Sequence, residues 1–291
     1  MTLVSFLLVL LSAVMHAGWN MLVREQRVGD AFLRISVVIA VAGLAPVAAA
    51  EFFGTPIFAS IWLYALLGGI FLAIYYLGLT RAYGTGDFTL VYPAARGLPV
   101  LFVAVADFAR GHPPTAFGWL GLILVAAGCL LLPHQTWQSI RWAHYQTGTT
   151  VWILVAAVAT AGYSIVDSSA ARLLPPGLAT AIRYNVIESS LALAAFWIIL
   201  LIAREPISLG GGWASWRWPA FAAIFVFGGY SLVLWAFQLS ANASYVLAVR
   251  QISIVMGVVA GAYFFREPAA RLRITAAFIV TAGVVSVALA R

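Results

Sequence analysis

Residues 62–114 read WLYALLGGIFLAIYYLGLTRAYGTGDFTLVYPAARGLPVLFVAVADFARGHPP, and residues 216–268 read WRWPAFAAIFVFGGYSLVLWAFQLSANASYVLAVRQISIVMGVVAGAYFFREP. Laid on one another without a gap, a shift of 154 positions, Tyr76 meets Tyr230, Ala82 meets Ala236 and Ala94 meets Ala248. Arg96 meets Arg250, Ala106 meets Ala260 and Pro114 meets Pro268. A second register joins the segments before them: Ala13, Ala17 and Gly18 fall on Ala157, Ala161 and Gly162 at a shift of 144, and Arg34 falls on Arg183 at a shift of 149. The matches are sparse and keep their order along the chain, so the carboxyl half repeats the amino half. Duplicated membrane units of this kind place a binding site between the repeats.

Composition sets the solvent. Of 291 residues 64% are hydrophobic and 9% charged, with a mean hydropathy of +1.01. A soluble chain carries roughly a quarter charged residues, so most of this surface must face lipid. The formal charge of +7 arises from sixteen arginines and no lysine. They stand singly between apolar runs, as a membrane protein sets them near headgroups, and no nucleic-acid partner is expected. The one cysteine, Cys129, lies in an apolar run and reads as a small buried side chain. The amino terminus lacks a basic lead and carries Met15, His16, Trp19 and Asn20 in its later part, which reads as a retained helix rather than a cleaved signal.

Spanning a bilayer takes about twenty mostly apolar residues. Ten such segments are predicted, at approximately 2–23, 32–52, 58–82, 87–109, 115–133, 149–172, 178–203, 217–239, 243–264 and 269–290. Helix stops separate them: Arg-Gly-His-Pro-Pro at 110–114, Leu-Pro-Pro-Gly at 174–177, Gly-Gly-Gly at 210–212 and Arg-Glu-Pro at 266–268. The expected fold is an all-α integral membrane protein of ten transmembrane helices, with a first five-helix repeat over 1–133, a connector over 134–148 and a second repeat over 149–291. An odd number of helices per repeat makes the second enter the membrane from the opposite side, an inverted pair. The connectors after helices 1, 3, 5, 7 and 9 hold Arg24, Arg27, Arg34, Arg81, Arg141, Arg204, Arg217, Arg266, Arg271 and Arg273; the other face holds Arg110, Arg172, Arg183 and Arg291. On charge alone the chain ends face outward.

A charge in mid-span is costly and invites a functional reading. Arg96 and Arg250 lie about nine residues into helices 4 and 9, at equivalent positions, with Tyr92 one turn before Arg96. They fit a polar cavity that meets a carboxylate or phosphate; the alternative is a structural pairing with Asp107, Asp167 or Glu188. Helix 1 carries His16, Trp19 and Asn20 on one face, and helix 6 shows Thr160, Tyr163 and Ser164 at the same places, then Asp167. This face reads as cavity lining, or else as a buried histidine with Trp19 as an interface anchor. Helices 3, 7 and 8 add Tyr75, Tyr76, Thr80, Tyr184, Asn185, Glu188, Tyr230, Trp235 and Gln238, rings with polar tips that suit a pocket holding an apolar group and orienting a polar one. Gly257 and Gly261 form a GxxxG pair that helix packing explains. No phosphate-binding loop and no metal-spaced Cys/His cluster occurs in the sequence, and no cofactor is expected.

His-Ala-Gly-Trp-Asn at 16–20, the five-helix repeat, Arg34 and Arg183 at the start of the second helix of each repeat, and Arg-Glu-Pro at 266–268 together resemble the drug/metabolite transporter superfamily, in particular its EamA-type ten-helix members. The resemblance covers essentially the whole chain and extends to the aromatic amino-acid exporters of the YddG type. It implies a secondary transporter in a bacterial inner (plasma) membrane that exports a small organic metabolite, best an amino acid and an aromatic one among them, by alternating access, as a monomer or weak homodimer. It also implies a cavity lined from both repeats, with the fifth and tenth helices peripheral and both chain ends in the cytoplasm, against the arginine count. The superfamily's four-helix drug exporters carry a glutamate in mid-helix 1, where this chain has His16 and no carboxylate. The candidate substrate-binding set is His16, Trp19, Asn20, Tyr76, Thr80, Tyr92, Arg96, Tyr163, Asp167, Tyr184, Glu188, Tyr230, Trp235 and Arg250. The alternatives are an exchanger of phosphorylated or nucleotide-linked solutes and, from another class, a membrane enzyme on a lipid-linked substrate, which calls for titratable groups at headgroup level rather than in mid-span.

Overall fold

A computed structural model of the chain describes residues 1–22, 28–85, 88–132, 134, 148–204, 209–256, 259 and 271–290, with the side chains of 20–22, 28, 85, 88–90 and 92–94 outside the description. Ten helices are found among them: α1 (Leu3–Leu22), α2 (Val28–Phe53), α3 (Phe58–Thr85), α4 (Phe88–Ala109), α5 (Ala116–Leu131), α6 (Gly148–Leu173), α7 (Leu178–Ile202), α8 (Gly212–Gln238), α9 (Ala243–Arg250) and α10 (Arg271–Leu289). The spans of α2, α3, α6, α7, α8 and α10 are long and apolar enough to cross a membrane, while α1, α5 and α9 (counted to Met256) qualify as shorter apolar helices. Their outer faces stay apolar: Phe53 is 93% exposed and Ile202 78%, a surface that calls for lipid rather than water. Arg-Glu-Pro at 266–268, the Gly257/Gly261 pair and nearly all of the 134–148 connector lie outside the described residues.

The helix stops act where expected. Gly111 and Gly211 take left-handed conformations, with φ of 80° and 102°, in the turns before α5 and α8. The α8 helix begins at Gly212, the last residue of the Gly-Gly-Gly stop and five residues before the expected 217, with Pro219 inside it near its beginning.

The helix pairing has a pattern. α1 packs on α8 as α6 packs on α3, α4 touches α6 as α9 touches α1, and α2 meets α7, α4 meets α9 and α5 meets α10. Exchanging the first five helices for the last five leaves each of these pairings in place. Individual contacts follow. Gly18 faces the Phe225 ring, and Gly162 faces the Phe71 ring, at the shifts of 144 and 154 seen in sequence. Arg34 donates to the Gly210 carbonyl just before α8, and Arg183 donates to the Thr55 carbonyl just before α3.

The tightest seam is α5 on α10. A methyl group added at Gly121 would lie 2.7 Å from the Gly283 carbonyl oxygen, and one at Gly283 would lie 2.7 Å from that of Gly121. Two turns on, one at Gly128 would lie 2.9 Å from the Ala276 carbonyl oxygen. The obstruction is backbone, so no rotamer relieves it, and overpacking costs about 1–3 kcal/mol. Gly121→Ala or Gly283→Ala should therefore lower the melting temperature in detergent, while Gly84→Ala, which meets open space, should leave it unchanged. Equal melting of all three proteins would show a looser seam than described.

Candidate functional site

The polar residues that interrupt the apolar helices converge between the two halves. His16 on α1 is buried, and its Nδ1 accepts from Trp19 Nε1 at 2.9 Å and faces Arg250 Nη2 at 3.3 Å. A ring nitrogen facing two donors is the unprotonated one, which assigns the hydrogen of neutral His16 to Nε2. Arg96 on α4 is 4% exposed and lies near enough to the neutral His16 ring to act on it electrostatically, as Arg250 does. The Arg250 guanidinium lies 5.4 Å from the centroid of the Tyr230 ring, within cation–π reach.

On the other side stand two carboxyl groups. Asp167 on α6 and Glu188 on α7 are both 0% exposed. Asp167 Oδ1 accepts from Tyr184 Oη at 2.8 Å, and its Oδ2 accepts a short bond from Tyr230 Oη. Tyr230 thus holds Asp167 with its hydroxyl and Arg250 with its ring. Gly68 on α3 makes the room: a methyl there would lie 2.9 Å from Asp167 Oδ1 and 2.9 Å from Glu188 Oε1. Asn185, one turn before Glu188, spends its amide on the Phe227 carbonyl and the Ser231 hydroxyl of α8.

Aromatic rings form the wall between the charges. Tyr163 sits edge-on to both Tyr75 and Tyr230, at centroid distances of 5.9 Å each. Tyr75 continues to Tyr76, which stacks on Phe32 at 4.2 Å and meets Phe196 at 5.5 Å. Trp19 closes the row against Phe32 and His16.

Of the residues singled out in sequence, His16, Trp19, Tyr76, Arg96, Tyr163, Asp167, Tyr184, Glu188, Tyr230 and Arg250 lie in or beside this network. Trp19 is 8% exposed and donates to His16, so it is a member of the aromatic row and not a belt anchor. Thr80 donates to the Tyr76 carbonyl of its own helix. Trp235 packs half-buried on the apolar cluster around Phe237 and Tyr184, apart from the row. The side chains of Asn20 and Tyr92 lie outside the described residues. Two carboxylates offered as structural partners of the arginines are otherwise engaged: Asp107 holds Arg110 at 2.6 Å and the Ser244 hydroxyl and amide, and Asp167 holds two tyrosines. Phe32, Phe196 and Gly68 were not read from sequence. The first two are indistinguishable there from lipid-facing apolar residues, and Gly68 shows only as half of a Gly-Gly pair.

A buried carboxylate with two hydroxyl donors depends on both. Tyr184→Phe should destabilise the detergent-solubilised protein by about 1–3 kcal/mol, and the loss should shrink when Asp167→Asn is added, as a double-mutant cycle would read. Additive losses would separate Tyr184 from Asp167.

Comparison with known proteins adds three findings. Residues 148–289 match the model of the EamA-like transporter family. A search of curated proteins returned no match. Among solved structures, one crystal structure superposes with a TM-score of 0.67 over 99% of this chain and 96% of its own, at 16% identity, a likeness of fold.

Proposed function

We propose that this chain is a secondary transporter of the bacterial inner membrane that exports a small zwitterionic solute, an amino acid and best an aromatic one, by alternating access between two inverted five-helix repeats. The observation that carries the reading is the double role of Tyr230, which meets the Arg250 guanidinium with its ring and the Asp167 carboxyl group with its hydroxyl, so that a cationic and an acidic group stand on two sides of one side chain. A guanidinium meets the α-carboxylate, a carboxylate meets the ammonium, and the tyrosine rings take the side chain. The EamA-like domain and the transport its family description names support the class. The reciprocal helix pairs support the inverted architecture, since an odd number of helices per repeat turns the second repeat over in the membrane. Two arginines near one another, with the Nε2 hydrogen of His16 as a further donor, also suit a multiply charged anion, so a phosphorylated solute is the second reading.

Counterflow of labelled amino acids into proteoliposomes decides between them. Phenylalanine should exchange in the wild-type protein, and Arg250→Gln should keep its thermal stability while losing one charge-assisted hydrogen bond of about 1.5–3 kcal/mol. That loss is a roughly tenfold to hundredfold weaker apparent affinity. Exchange of organic phosphates and not of amino acids would replace the first reading by the second.

Orientation has its own test. Arg110 donates to the Ser168 and Ser169 hydroxyls, Arg172 to the Ala241 carbonyl, and Asn242 to the His112 carbonyl, which gathers the α4–α5, α6–α7 and α8–α9 connectors on one face. The opposite face carries most of the arginines and is expected to be cytoplasmic. Cys129 is buried, so single cysteines introduced at Gly111 and at Gly84 can be labelled selectively. An impermeant maleimide added to intact cells should reach the first and not the second; the reverse pattern would put both chain ends in the cytoplasm.

A further inference from the structure

One ion pair ties together three of the helices that carry the polar centre. Asp107, near the end of α4, is fully buried. Its Oδ1 accepts from Arg110 Nη2 at 2.6 Å, and its Oδ2 accepts from the Ser244 amide at 2.8 Å and the Ser244 hydroxyl at 2.6 Å. Ser244 lies in the first turn of α9. Asn242, just before that helix, makes no side-chain cap and gives its amide to the His112 carbonyl instead. Asp107 therefore caps α9 from another helix, with a carboxylate at the positive end of the helix dipole. Arg110 turns the other way and donates through Nη1 to the Ser168 and Ser169 hydroxyls of α6. The helices so joined carry Arg96 on α4, Asp167 on α6 and Arg250 at the end of α9.

Two observations separate this pair from a fixed brace such as the α5–α10 seam. The Arg110 side chain is 23% exposed, so water reaches it first as the helices part, and an ion pair that water can solvate is worth little. The repeat also holds no second copy. At the shift of 154, Asp107 answers to Gly261, Arg110 to Phe264 and Ser244 to Leu90. Arg24 and Glu25 stand opposite Ser168 and Ser169 at the shift of 144, without the pair itself.

We propose that Asp107 and Arg110 form a latch that shuts the polar centre off from the side of the α4–α5, α6–α7 and α8–α9 connectors, and that the latch parts each time solute passes at that side. Opening frees Ser244 from Asp107 and α6 from Arg110. Then α6 and α9 draw away from α4, taking Asp167 and Arg250 with them, so solute held among these residues loses contacts as its way out opens. Because the pair has no second copy, the two closed states are unequal, and the empty protein rests closed at this side. What passes the latch rests on the transport reading above; the latch itself rests on the bonds of Asp107 and Arg110.

The test reads accessibility and transport separately, on the full-length protein in oriented vesicles. A cysteine placed at Ser164, buried one turn inward of Ser168 on α6, should react slowly with an impermeant maleimide added from the side of Gly111. Asp107→Asn keeps the size of the side chain and removes the charge that holds Arg110. It should speed that reaction roughly tenfold, the effect of losing one charge-assisted hydrogen bond, and slow the reaction from the opposite side. The same change should lower the half-saturating concentration of phenylalanine presented from the Gly111 side and raise it from the other. A brace that merely supports the fold would instead lower the melting temperature and weaken transport from both sides alike. Should Asp107→Asn fail to fold, Ser169→Ala removes one acceptor of Arg110, leaves the α9 cap in place, and should give a smaller change of the same sign. Labelling that neither variant changes, or that rises equally from both sides, would overturn the latch. Labelling needs no solute, so a one-sided rise without counterflow of any amino acid in the wild type would support the latch and remove the solute reading.

Discussion

Inside an apolar surround a polar side chain keeps its place only beside another polar group, and the arrangement of this chain follows from that. His16, Arg96, Asp167 and Glu188 sit inside their helices and Arg250 ends α9, all within apolar stretches where lipid offers nothing to bond. Each therefore faces the junction between the halves. The ring of Tyr230 lets cationic and acidic groups share that junction without touching, because it offers a π face to one and a hydroxyl to the other. The outer surface is left to side chains such as Phe53, Ile202 and Phe278, which need no partner.

The halves match in packing more closely than in chemistry. Arg34 and Arg183 make equivalent reaches to Gly210 and Thr55, and the Gly18–Phe225 contact has its counterpart in Gly162–Phe71. The acids break the pattern. At the shifts that relate the repeats, Asp167 answers to Val23 and Glu188 to Ile39. The arginines keep their counterparts, so the cationic end draws on both halves and the acidic end on one. The polar centre is therefore asymmetric: its arginines come from both halves and its carboxyl groups from one.

The helices were legible because an apolar run of spanning length has few alternatives. The described ends of α3, α5, α6 and α7 fall within a few residues of the expected ones, since Pro and Gly stop a helix by sterics that need no tertiary context. The α8 start lies five residues before the expected one, at the last glycine of the Gly-Gly-Gly stop, and Pro219 sits inside the helix near its beginning. Among the polar residues, charge in mid-span and repetition at a fixed shift pointed to Arg96 and Arg250. What sequence did not show was partnership. Nothing in the spacing says that Tyr230 reaches Asp167 on another helix, that Thr80 turns back on its own backbone, or that Phe32 and Phe196 face inward. Those depend on which helix faces which, a long-range fact. Gly68 was invisible for the opposite reason: its contribution is the side chain it lacks.

The seam in which Gly121 and Gly283 meet each other carries a consequence for how such a chain changes over generations. In a pair of identical five-helix units, any substitution arises at two symmetric places at once, and a new acid next to the axis would confront its own copy. Joined in one polypeptide, the two places mutate separately. A carboxylate can then settle on one side while the other keeps an isoleucine, and the glycines of the seam continue to hold the halves in register. The covalent link between the halves is in this sense what permits the lopsided chemistry of the centre: it leaves the packing symmetric and frees the polar residues from symmetry.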